Sequence, residues 1–146
     1  MIEIFGDFNF SLTFAAMGSA LGTGVAGMAA IGAWKKAFLQ NKAAPFILTA
    51  FVGAPLTQTF YGWILRDQIK AASIPAGTPP YVMMLLGLVA GLAIGLSAFM
   101  QGKAAARAAD ALAETGKGFA NYMIVIGIIE TVALFVMLFC MIALPK

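Results

Sequence analysis

Long apolar stretches alternate with short polar ones along this chain and divide it into four. The first apolar stretch runs from about Phe8 to Ala33 and the second from about Ala44 to Leu65. Between them Lys35, Lys36, Gln40, Asn41 and Lys42 mark a short polar turn. The third runs from about Tyr81 to Gln101, after a connection holding Arg66, Asp67, Lys70, Pro75, Pro79 and Pro80. The fourth runs from about Phe119 to Leu144. A helix needs about 20 mostly apolar residues to cross a bilayer, so each stretch is long enough. Lys103 to Ala113 is rich in alanine and has no breaker, which predicts that the third helix continues beyond the hydrocarbon. The turn then falls near Thr115–Gly118, where two glycines end the helical pattern. The expected fold is an all-α membrane protein: four transmembrane helices built as two fused helical hairpins, about 8–65 and about 81–144, in one domain covering 1–146.

Composition strengthens that reading. Of the 146 residues 62% are hydrophobic and 10% are charged, against roughly 25% charged in an ordinary soluble domain. A water-facing surface cannot be built from this sequence, and its partner is the lipid bilayer. The net charge of +3 sits in the loops and gives no reason to expect nucleic acid. Met1–Asp7 carries Glu3 and Asp7 where a secretory signal would carry basic residues, so no cleavable leader is expected. Six basic residues (Lys35, Lys36, Lys42, Lys103, Arg107, Lys117) follow the first and third helices, against three (Arg66, Lys70, Lys146) on the other side. The excess predicts a multi-pass protein of the cell membrane with both hairpin turns cytoplasmic and both termini outside. The single cysteine, Cys140, lies in an apolar run and reads as packing. There is no histidine, which removes the commonest general base and transition-metal ligand.

The two halves form a weak repeat. Gly18 and Gly22 match Gly91 and Gly95 at an offset of 73 residues, and Gly53 matches Gly127 at 74. Gly18, Gly22, Ala26 and Ala30 recur every four residues in the first helix, as do Gly87, Gly91 and Gly95 in the third. Such stripes let helix backbones approach closely in lipid. Gly22, Gly24 and Gly27 do not read as a nucleotide loop, because no strand precedes them and no lysine follows in the required place. Two stripes on alternate helices predict a tight inner layer, as in a ring of hairpins.

Against this background one residue stands out. Glu130 lies inside the fourth span with no basic residue in any span to pair with it. At about 1.5 Å per residue it is roughly 17 Å from Phe119, close to the midplane. An acid at that depth is expensive and is kept mainly for ion or proton traffic. Its neighbours are telling. With the second turn at Gly116, Gln101 lies 15 residues before it and Glu130 lies 14 after. With the first turn at Asn41, Thr57 and Gln58 follow by 16 and 17 residues, again the same level. Tyr61 is one helical turn beyond Thr57, on the same face. Pro55 removes the partner of the Phe51 carbonyl and should loosen the backbone there. Hard cations prefer oxygen ligands, and a monovalent cation here would leave the site neutral. In the repeat, Glu130 corresponds to Leu56 and Gln101 to Met28, so one ion site per four helices is expected.

These features resemble the K (proteolipid, c-type) subunit of V-type or archaeal-type rotary ATPases. The resemblance covers nearly the whole chain. Its most specific piece is Pro55-Leu56-Thr57-Gln58-Thr59-Phe60-Tyr61-Gly62 together with Gln101-Gly102 and Glu130. It is similar to the sodium-binding form, which implies a non-catalytic rotor-ring subunit that moves Na+, or alternatively H+, past a stator. By that resemblance Glu130 is the ion-carrying carboxylate. Gln101, Gln58 and Thr57 supply side-chain oxygens, Ala54 a backbone carbonyl, and Tyr61 a hydrogen bond to the carboxylate. Leu56 and Thr59 depart from the glycines expected in that form. The implied partners are identical subunits in a ring, a stator membrane subunit with a basic residue, and central-stalk subunits at the cytoplasmic turns.

Two other classes fit less well. A small proton-coupled drug transporter would carry its acid in the first helix, which has none within its span. A glutathione-type membrane enzyme would need an arginine-rich site, and the two arginines, Arg66 and Arg107, lie at or beyond helix ends.

Overall fold

A computed structural model describes residues 6–145; Glu3, Lys146 and the chain ends beyond Gly6 and Pro145, on which parts of the leader and orientation readings rest, lie outside them. The described residues form α1 (Phe10–Leu39), α2 (Leu48–Gly53), a 3-10 turn (Ala54–Leu56), α3 (Thr57–Ala71), α4 (Tyr81–Thr115) and α5 (Phe119–Ala143). Three of these helices, α1, α4 and α5, are each long and apolar enough to cross a membrane. The remaining crossing is composite. Pro55 lacks an N–H, so the helical ladder tightens into a 3-10 turn between α2 and α3, while the flanking residues keep right-handed helical dihedrals.

The polar segments are more helical than the hydropathy pattern suggests. α1 runs through Lys35 and Lys36 to Leu39, and α3 through Arg66, Asp67 and Lys70 to Ala71, where connections are expected from sequence. A helix already satisfies its own backbone, and lysine and arginine side chains reach water from its ends, so polarity alone does not end it. At the start, Phe8 and Asn9 are left-handed (φ 53° and 62°), and α1 begins at Phe10 instead of Phe8. α4 is one unbroken helix as far as Thr115. It stops where Gly116 and Gly118 take φ of 67° and 89°, conformations that L side chains adopt at a steric penalty.

α1 and α4 run parallel and make the closest contact in the molecule. A Cβ added to Gly18 would overlap the Gly95 carbonyl, and one on Gly95 would overlap that of Phe14. Gly22 faces the Ala98 carbonyl in the same way, Gly91 lies against Phe10 O, and Gly102 meets the Gly22 backbone. Gly87 belongs to the stripe in sequence but faces the side chain of Asp7 instead of a helix backbone. Asp7 is fully buried there and accepts hydrogen bonds from the backbone of Asn9 (3.0 Å) and Ser11 (2.9 Å) and from the Ser11 hydroxyl.

α3 and α4 lie between α1 on one side and α5 on the other. Buried apolar residues separate into two clusters along these helices. One holds Ala26, Phe51, Ala105 and Ile126; the other holds Ala15, Leu65, Ile94 and Ala133. Between the two lie polar residues of α1 (Ser19, Thr23), α3 (Thr57, Gln58), α4 (Ser97, Gln101) and α5 (Glu130). At the end that holds the hairpin turns, Lys36 pairs with Glu114 at 2.8 Å, which raises the lysine pKa and lowers that of the carboxylate. The pair is exposed, so salt screens it and it contributes little.

The glycine contacts make a direct prediction. Gly18→Val should prevent α1 from seating on α4 and abolish recovery of folded protein in mild detergent. Gly24→Ala, at an exposed position with nothing within 4 Å, should leave yield and melting temperature close to those of the parent.

Candidate ion-binding site

The site sits between the two apolar clusters and draws on three helices. The loosened backbone before α3 brings Thr57 round so that its one hydroxyl proton is shared between the Ala54 carbonyl and Gln58 Oε1, each at 3.2 Å. Gln58 is fully buried and donates through Nε2 to Gln101 Oε1 at 2.7 Å, linking α3 to α4. Gln101, also fully buried, donates through its own Nε2 to Glu130 Oε2 at 3.2 Å and to the Ile126 carbonyl at 3.1 Å, linking α4 to α5. Tyr61 lies one turn beyond Thr57 and donates to Glu130 Oε1 at 2.8 Å.

The residues singled out from sequence around the acid (Ala54, Thr57, Gln58, Tyr61, Gln101 and Glu130) thus join one continuous hydrogen-bond network. Both carboxylate oxygens accept, one from a phenol and one from an amide. The two donors hold the carboxylate in one orientation. Glu130 itself is half-buried, at the edge of a face of α5 that exposes Val125, Ile128 and Val132. Leu56, its counterpart in the repeat, is 49% exposed and turned out of the network.

Along this chain of bonds lie a carboxylate, two carboxamides, the hydroxyls of Thr57 and Tyr61, and the carbonyls of Ala54 and Ile126. That set of oxygens suits a small hard cation. Among the described residues no cluster of three or more His, Cys, Asp or Glu exists that could hold a metal in the usual transition-metal manner. The single carboxylate and neutral oxygens match a monovalent ion in charge.

The second half of the molecule also matches known proteins. Residues 84–143, which hold Gln101 and Glu130, match the family model for the C subunit of ATP synthase. This hairpin is therefore similar to the ATP synthase C subunit. Over 136 residues, 93% of this chain, it is 35% identical to the A-type ATP synthase subunit K of Methanocaldococcus jannaschii. The chain spans 59% of that relative's length. The family match begins after α3, so the Thr57–Tyr61 side of the site lies outside it and is covered by the longer alignment.

Two contributions are not apparent from the sequence pattern. Ser97 Oγ donates to the Ile129 carbonyl at 2.8 Å and holds α5 against α4 beside the acid. It precedes Gln101 by four residues, and that spacing alone puts both on one face. Gly102 has no glycine partner at the repeat spacing, yet it lets α1 approach next to Gln101. Gln101→Leu removes bonds to α3 and α5 together and leaves a buried donor on Gln58, so it should destabilise the fold by about 2–3 kcal/mol. Ser97→Ala breaks one bond and should cost about 0.6 kcal/mol. Reversible unfolding in bicelles would measure both.

Proposed function

We propose that the protein is a rotor-ring subunit of an A-type or V-type ATP synthase that binds and translocates Na+ at Glu130. The observation that carries the reading is the linked set Glu130–Gln101–Gln58–Thr57, with oxygens in excess of what a proton needs. A proton carrier requires the carboxylate and one hydrogen-bond partner, which Tyr61 alone provides.

In this mechanism Na+ replaces the amide and hydroxyl donors as the centre of the network. Glu130 supplies the charge, Gln101, Gln58 and Thr57 supply side-chain oxygens, Ala54 supplies its carbonyl, and Tyr61 fixes the carboxylate rotamer. A loaded site is neutral, which lets the α5 face travel against hydrocarbon. A basic residue on a stator subunit then lowers the affinity for the cation, and aqueous access paths let one ion leave and another enter. The ring is built from identical subunits. The turns between α1 and α2 and between α4 and α5 face the cytoplasm and meet central-stalk subunits, following the bias in basic residues. The chain itself is non-catalytic; ATP chemistry belongs to the soluble part of the assembly.

Carbodiimide modification of Glu130 in the membrane-embedded protein tests the assignment. Na+ at constant pH should protect the carboxyl, and Gln58→Ala should raise the half-protecting concentration by about tenfold or more, the loss of one charge-assisted ligand. Protection that responds to pH and not to Na+ would return the proton reading; absence of any labelling would sink the ion-carrier role.

A further inference from the structure

The amide of Gln58 has an acceptor problem that the proposed ion site creates. In the structure its Nε2 donates to Gln101 Oε1. A cation ligated by both carboxamide oxygens competes with that N–H for the lone pairs of Gln101 Oε1. Gln58 is fully buried, so no water replaces it. A buried N–H left without a partner would oppose ion binding.

α1 holds the complementary group. Ser19 is 2% exposed, and its hydroxyl has no hydrogen-bond partner. The helix contacts fix its level. Gly62 of α3 lies against Ala15, and Gly22 lies against Pro55, so seven residues of α1 run antiparallel beside seven of the opposing segment. Ser19 falls one turn beyond Ala15, and Gln58 one turn before Gly62, which puts the two at the same height on facing helices. The apolar clusters agree, since Ser19 lies between Ala15 and Ala26 just as Gln58 lies between Phe51 and Leu65. Because α3 and α4 are sandwiched by α1 and α5, Gln58 has the acid on one flank and Ser19 on the other. Burying a hydroxyl unsatisfied is unfavourable, and few native proteins do so without a use for the group.

We propose, resting on the sodium reading above, that Ser19 is a positioning residue for the ion site. Its hydroxyl accepts the Gln58 amide when Gln58 turns its carbonyl oxygen onto Na+. The first hairpin's inner helix thereby takes part in ion binding without touching the ion. Thr23, one turn on, has a hydroxyl in the same unpartnered condition but lies level with Pro55, which has no donor to give.

The test uses the full chain in membranes and reads Na+ protection of Glu130 from carbodiimide. Ser19→Ala should raise the half-protecting Na+ concentration by about threefold to tenfold, the worth of one buried hydrogen bond. In a Gln58→Ala background the same substitution should add nothing, because the group it serves is gone. Thr23→Ala should leave protection unchanged. An unaltered half-protection in Ser19→Ala, an equal effect with and without Gln58, or an equal shift from Thr23→Ala would each overturn the proposal while leaving the sodium reading intact. A parent protein that Na+ fails to protect would overturn both.

Discussion

The backbones of α1 and α4 touch, and most of the molecule follows from that contact. Apolar side chains gain little by leaving lipid for one another, so a membrane helix pair is held by close packing and by polar groups that cannot be satisfied in hydrocarbon. Gly18, Gly22, Gly91, Gly95 and Gly102 remove the side chains that would keep the two helices apart. With α4 pressed onto α1, a neighbouring face is free to present Gln101 and Ser97 to α5. The remaining groove is filled by the broken helix that carries Thr57, Gln58 and Tyr61. The packing layer and the polar layer therefore use different faces of the same helix, α4.

The polar layer is also adhesive. Gln101 reaches α3 and α5 at once, and Ser97 and Tyr61 each add a bond to α5. α5 packs on α4 and α3 and holds few buried side chains of its own. Its seat depends on the same groups that surround Glu130. In such an arrangement the affinity of the site and the docking of the helix that bears the acid are coupled.

Much of this was legible from residue types and spacing. Hydropathy alone divides the chain into four crossings, since hydrocarbon thickness sets their length. Counting residues from the two turns brings Thr57, Gln58, Gln101 and Glu130 to one depth, because antiparallel helices rise at the same rate. Pro55 announces the 3-10 turn, since its missing N–H is a local covalent fact. Other features depend on three-dimensional placement. That Gly87 faces Asp7 follows from the way the chain enters α1 through two left-handed residues. That Gln58 donates to Gln101, and not the reverse, is decided by which acceptors remain once Thr57 has turned toward Gln58. The extension of α1 and α3 past the apolar stretches was hidden because charge and helicity are independent in water.

Leu56 occupies the place in the first hairpin that Glu130 occupies in the second, and it turns outward as ordinary oily surface. In the proposed rotor this sets a gear ratio. Each four-helix unit moves a single ion per revolution where two acidic hairpins would move two. For a given torque from the soluble motor, the work per turn is divided among half as many ions. Each can then be driven against a steeper gradient, at the expense of ions delivered per turn.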